Sequence, residues 1–172
     1  LLLAYIIKRM DDRMSSKELI DKLIEISKNK YRYLNIILGI QKNLSIYIKE
    51  EKIQNILRQI DLNDRYMSKV QGFDRDFYSL FNKLKSNLGI DSIDKIDVKK
   101  YPQLKELKKI VVEILKLDEE IRIIENQNIK IIKKDKGEIS NKLRGIKQGT
   151  NADKAYKTQK NLLKGTSFNK KK

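Results

Sequence analysis

Residues Pro102–Gln148 read PQLKELKKIVVEILKLDEEIRIIENQNIKIIKKDKGEISNKLRGIKQ, and this stretch decides the fold class. Its apolar residues are Leu104, Leu107, Ile110, Val111, Ile114, Leu117, Ile121, Ile124, Ile131, Ile132, Ile139, Leu143 and Ile146. They recur mostly three and four apart, which places them on one side of an α-helix and not on a strand. Pro102 suits a first helical turn, where its missing N–H costs nothing, and Gly149 suits an exit. A helix of that length would be about 70 Å long at 1.5 Å per residue. Its apolar face needs company along the whole rod, so the rest of the chain is expected to lie against it.

Two further stripes supply that company. The first carries Leu19, Ile20, Leu23, Ile24, Ser27, Tyr31, Leu34, Ile37, Leu38, Gln41, Leu44 and Ile48. Ile26, Tyr33, Ile36 and Ile40 widen it, which implies more than one neighbour for this helix. Gly39 within it costs about 1 kcal/mol of helix propensity and is expected to permit close approach of another backbone. The second stripe runs Ile56, Ile60, Asn63, Met67, Val70, Asp74, Phe77, Phe81, Leu84 and Leu88 at alternating spacings of four and three. That is heptad spacing, which favours left-handed, coiled-coil-like packing.

Neither glycine nor proline separates these two stripes. The step from Ile48 to Ile53 nevertheless turns the apolar face by roughly 140°, which one straight helix cannot hold against one partner. A tight reversal near Lys49–Glu51 brings both faces inward. Asn63 and Asp74 interrupt the second stripe, either as polar residues that fix register or as solvated positions near a helix crossing. Phe73, Phe77 and Phe81, with Tyr78 beside them, form the densest aromatic patch and are expected to fill the widest part of the core. Gly89 ends the helix. The connection Ile90–Lys100 carries Ile90, Ile93, Ile96 and Val98 to pin it over the bundle end. Its Asp91, Asp94 and Asp97 lack the glycine and terminal glutamate of a calcium loop.

The sequence therefore predicts an all-α protein: an elongated antiparallel three-helix bundle over residues 15–148, followed by a flexible basic tail over 149–172. Residues 1–14 are expected to be a peripheral or disordered extension. Their LLLAYII run is far short of the roughly 20 residues that cross a bilayer, and no basic segment precedes it. Met14 is the expected natural start, because Ser15 and Glu18 have the spacing of a capping box.

Composition narrows the chemistry. The 172 residues contain neither cysteine nor histidine. That removes thiolate and imidazole chemistry and nearly every established zinc site, so no enzyme activity, cofactor, metal or small-molecule substrate is expected. The net charge is +16, of which residues 142–172 hold +9 and the remainder +7. Such a tail fits nucleic acid or an anionic membrane surface, or lysine used for solubility. Arginine is scarce where phosphate or base readout would use its fork, so nucleic acid is possible but not favoured.

Along the long third stripe the face becomes mixed after Ile124, with Asn128, Asp135 and Gly137 among its apolar positions. An incompletely covered stripe of this kind matches a helix-binding groove, and it equally matches fraying into a tail. The tail GTNADKAYKTQKNLLKGTSFNKKK keeps Tyr156, Leu162, Leu163 and Phe168 as scattered anchors.

LIDKLIEISKNKYRYLNIILGIQKNLSIYI, EKIQNILRQIDLNDRYMSKVQGFDRDF and YPQLKELKKIVVEILKLDEEIRIIENQN, with the end LRGIKQGTNADKAYKTQKN, together carry a resemblance. Over residues 15–172 the chain resembles the FlgN family of flagellar export chaperones in its low-GC Gram-positive form. The YPQLKEL segment and the KAY…SFNKKK tail are the distinctive parts. The resemblance implies a cytoplasmic type III export chaperone that binds the C-terminal helices of hook–filament junction proteins and delivers them to the cytoplasmic domain of the export gate. It implies a client site on the third helix, taken here as Ile121, Ile124, Asn128, Ile131 and Ile132, and gate docking by Tyr156. Alternatives are a coiled-coil scaffolding protein and a binder of nucleic acid or anionic membranes through the tail.

Overall fold

In the computed structural model, residues 14–134 and 139–149 are described, together with Leu2 and Asn151. Among the described residues no strand occurs. The elements are α1 (Ser16–Lys49), α2 (Ile53–Leu88), a short 3-10 turn (Ile93–Lys95) and α3 (Leu104–Lys134), with residues 139–149 also helical. Residues 135–138 and the tail beyond 151, Tyr156 included, lie outside the described residues, as do 1–13 apart from Leu2.

Local chemistry accounts for the ends of the helices. Ser15 caps α1 with its side chain accepting from the Glu18 N–H at 3.2 Å, while Glu18 accepts from the Ser15 N–H at 2.8 Å. This reciprocal capping box satisfies two donors that a helix start otherwise leaves unpaired. α1 stops at the expected reversal, where Glu51 takes a left-handed φ of 54° and the Lys52 N–H donates to the Tyr47 carbonyl. Gly89 closes α2 at φ 63°, a conformation in which a Cβ is strained. α3 begins two residues later than the sequence suggests. Pro102 and Gln103 form a turn whose carbonyls accept from Lys105, Glu106 and Leu107. Gly149 is still helical rather than an exit.

Cross-helix pairs show the directions of the bundle. The α1–α2 hairpin is antiparallel. Its Lys30–Asp74 and Gln41–Asn63 pairs are eleven residues apart on both helices and therefore share one register. α3 returns parallel to α1. Lys28 meets Glu106 at 2.6 Å and Lys42 meets Glu120 at 3.0 Å, fourteen residues on in each helix. A register held over two heptads is coiled-coil-like geometry. These pairs are solvent-exposed and contribute little to stability themselves.

The organising helix is α1, which corrects the expectation that the chain is built around the third stripe. α1 supplies residues to three apolar clusters in turn. The first joins Leu19, Ile20, Leu23 and Ile24 to Leu84, Ile96, Leu104 and Leu107. The second joins Leu34 and Ile37 to Val70, Ile114, Leu117 and Ile121. The third joins Leu44 and Ile48 to Ile56 and Ile139. Each fully buried leucine or isoleucine contributes about 1.5–3 kcal/mol, so the molecule is held along the axis of α1. The linker between α2 and α3 is pinned as expected, with Ile96 buried and Ile90 and Ile93 packed on the first cluster. Gly39 faces solvent, and a Cβ there would meet nothing within 4 Å, so it accommodates no neighbouring backbone. Tyr31, expected inside, is 38% exposed, and of the residues that widen the stripe Ile40 is buried while Ile36 is 39% exposed.

A polar layer crosses this apolar axis. Asn128 on α3 donates to both the side-chain and main-chain oxygens of Gln41 on α1, at 3.2 and 3.1 Å. Gln41 donates to Asn63 on α2 at 3.1 Å, and Ser45 donates to Asn128 at 2.7 Å. Gln41 and Asn128 are buried, and no buried side-chain polar atom among the described residues lacks a partner. A shift of any helix by one turn would leave buried amides unpaired, so the layer fixes register across all three helices. Of the two readings of Asn63, the structure has the register-fixing one.

Candidate binding cleft

α2 and α3 each pack closely on α1 and approach each other less closely, meeting through side chains of the shared apolar clusters. The result is a seam between them, floored by α1 and open at two levels. The larger opening, about 420 Å³, has Ile26, Ser27 and Lys30 as its floor. α2 walls it with Phe73, Asp74, Phe77 and Tyr78, and α3 with Val111, Ile114, Leu115 and Asp118. The smaller, about 210 Å³, lies beside the polar layer, between Ile60 and Asp64 on one side and Glu125, Ile129 and Ile132 on the other. Tyr78 and Leu115 are 69% and 63% exposed at the mouth of the larger opening. Large apolar side chains held out to water beside an open apolar groove mark an interaction surface.

The aromatic patch belongs to this wall. Phe73, Phe77 and Phe81, expected to fill the widest part of the core, are half-buried; Phe77 and Phe81 pack on the first apolar cluster from its edge. Phe73 meets Tyr33 edge-on with ring centroids 5.2 Å apart, and Phe77 stacks on Phe81 at 6.0 Å. α1 is the closest neighbour of α2, and of the three phenylalanines Phe73 and Phe77 line the seam.

The charged groups are specific. Lys30 reaches across the floor to Asp74 at 2.7 Å. Asp118 stands half-buried on the opposite wall and makes no hydrogen bond or ion pair among the described residues. Burial pushes its carboxyl above the ordinary value; Lys30 opposes that effect and Asp74 adds to it.

The five residues proposed from sequence as a client site share one side of α3, but that side is not one accessible surface. Ile121 and Asn128 are buried against α1, Asn128 within the polar layer, so neither is available for direct contact in this conformation. Ile132 packs on the third apolar cluster and also lines the smaller opening. Ile124 is half-buried, and Ile131 is 40% exposed without lining either opening. The stripe that sequence reasoning took as partly uncovered is largely the α3 core face. The seam stripe lies one position further on, at Leu115, Asp118, Glu125, Ile129 and Ile132. Sequence reasoning missed Lys30, Leu115 and Asp118. The signal for them was this second, heptad-spaced set beside the first, since two adjacent stripes on one helix imply two neighbours.

Among the described residues no group of three acidic side chains could hold a metal, and no helix is long and apolar enough to cross a membrane. In the linker, Asp91 pairs with Lys95, Asp94 with Lys108, and Asp97 accepts from the Lys99 N–H. Comparison with models of known families, with curated proteins and with solved structures finds no match to this chain.

Proposed function

We propose that this three-helix bundle is a protein-binding chaperone of the flagellar export kind, working in the cytoplasm without catalytic chemistry. It shields a C-terminal helix of a hook–filament junction protein and passes it to the export gate. The observation that carries the reading is the open apolar seam between α2 and α3, with Tyr78 and Leu115 at its mouth. An amphipathic client helix laid there would cover both walls and bury its own apolar stripe. The resemblance of residues 15–172 to the FlgN family supplies the identity of the client and the role of Tyr156 in gate docking. Release to the gate requires only moderate affinity, which a shallow seam provides.

Calorimetric titration with a peptide from the C-terminus of a hook–filament junction protein tests the reading. The wild-type chain should bind, and Leu115→Lys should weaken binding at least tenfold, because it places a charge in an apolar contact. The thermal melt should stay unchanged, since Leu115 is mostly exposed. Tyr156→Ala should retain peptide affinity and lose capture by the gate's cytoplasmic domain. Equal peptide binding by wild type and Leu115→Lys would remove the seam from the function.

A further inference from the structure

The seam differs in charge from the molecule around it. The chain as a whole carries +16. The charged groups lining the two openings are nevertheless Asp64, Asp74, Asp118 and Glu125, against the single cation Lys30. Lys30 is already committed to Asp74. Asp118 is left beside apolar walls with no hydrogen bond or ion pair among the described residues, only the attraction of Lys30 at longer range, and its carboxyl is partly desolvated. A carboxylate in that position gains most from a cation delivered from outside, through a charge-assisted hydrogen bond in a poorly hydrated site.

The spacing of the wall specifies the shape of what delivers it. Leu115, Asp118, Glu125, Ile129 and Ile132 follow steps of three, seven, four and three along α3, which is heptad geometry and matches a helix packed alongside. We propose that the seam receives a cationic amphipathic helix of a partner protein, in which one lysine or arginine flanked by apolar residues sits against Asp118. The inference rests on the seam being a helix-binding site and adds the charge of the helix that fits. An acidic helix of equal hydrophobicity is rejected, because it would bring a like charge to Asp118 and Asp74.

The test uses the full chain and two labelled, monomeric amphipathic peptides of about 21 residues, long enough to follow α3 from Val111 to Ile132. One carries a single central arginine; its twin carries glutamate there. In anisotropy titrations the wild-type protein should prefer the arginine peptide about tenfold, with the preference shrinking as salt is raised. Asp118→Asn should erase the preference without lowering the melting temperature, and Asp118→Lys should reverse it. A preference unchanged in both variants overturns the inference. Where Leu115→Lys abolishes binding of both peptides under that result, the seam remains the site and only the charge assignment falls. Failure of wild type to bind either peptide, or full binding by Leu115→Lys, overturns both. A dimer seen in sedimentation and broken by Leu115→Lys would make a second copy of this chain the occupant, and would also overturn the proposal.

Discussion

α1 and α2 are almost equal in length, at 34 and 36 residues, yet α1 buries eleven of its residues and α2 only three. Composition does not explain the difference, because α2 carries all three phenylalanines of the aromatic patch. The number of neighbours does. α1 lies between two helices and is covered on two flanks, whereas α2 has α1 on one side and the seam on the other. An apolar stripe of given strength is thus a core in one helix and a half-covered wall in the next. What decides is whether a third body closes over it.

The sharpest way to break that contrast is a matched pair of truncations. Ile37→Ala removes a side chain with no exposure at the centre of the second cluster, and it should cost about 3 kcal/mol in urea unfolding. Ile60→Ala on α2, where the side chain is 37% exposed, should cost less than about 1 kcal/mol. Equal losses would mean that the seam is closed in solution. Next in size is the polar layer. Asn128→Ala strands the Gln41 amide oxygen, while the Ser45 hydroxyl keeps the Gln41 main-chain carbonyl, and should cost about 2 kcal/mol by the same measurement. A neutral outcome would show that water replaces the layer and that register is held by packing alone.

Helix ends come below that. Gly89→Ala forces a Cβ into a left-handed conformation at the α2 terminus and should cost about 1 kcal/mol. Ser15→Ala should cost a similar amount by removing the α1 cap. Hydrogen bonds from the Ser15 backbone and then its side chain hold the Glu18 carboxyl below its ordinary value. Its contribution is therefore complete above the ordinary carboxylate range and is lost as pH falls through the lowered pKa. The Ser15→Ala variant should show a weaker loss of stability on acidification.

The smallest expected effect has the opposite sign. Burial raises the Asp118 carboxyl, so its charge opposes folding at neutral pH, and the penalty is relieved as pH falls through the raised pKa. Asp118→Asn should raise the melting temperature slightly at pH 7 and leave it unchanged near pH 3. A fall at pH 7 would mean that the carboxylate is satisfied inside the fold.

Sequence periodicity revealed much of this architecture. The three stripes gave the helices, and the change of phase between Ile48 and Ile53 gave a reversal that no glycine or proline marks. Glu51 adopts the left-handed turn there at some conformational cost, which no composition rule signals. Periodicity shows which residues share a face, but not which face meets which neighbour. For that reason Asn128 read as a break in an uncovered stripe, when its amide lies opposite Gln41 in the interior. Tyr31 and Ile36 fall outside the core for the same reason, since both sit on the margin of a broad stripe. The seam depends on the distance between α2 and α3, a tertiary quantity. Its only trace in sequence was the adjacent Leu115–Ile132 set, whose mixed polarity resembles an ordinary solvated flank.

The parallel return of α3 gives the molecule two unlike poles. At one lie the Ser15 cap and the linker that joins α2 to α3. At the other lie the Glu51 reversal and Ile139, packed on Leu44, Ile48 and Ile56. Ile139 thus lies at the reversal pole, beyond the end of α3, which is itself about 24 Å of helix rise past Asp118 when counted to Lys134. The seam opens sideways, across the long axis. A helix lying in the seam would thus approach from the flank, and not over the end where Ile139 packs.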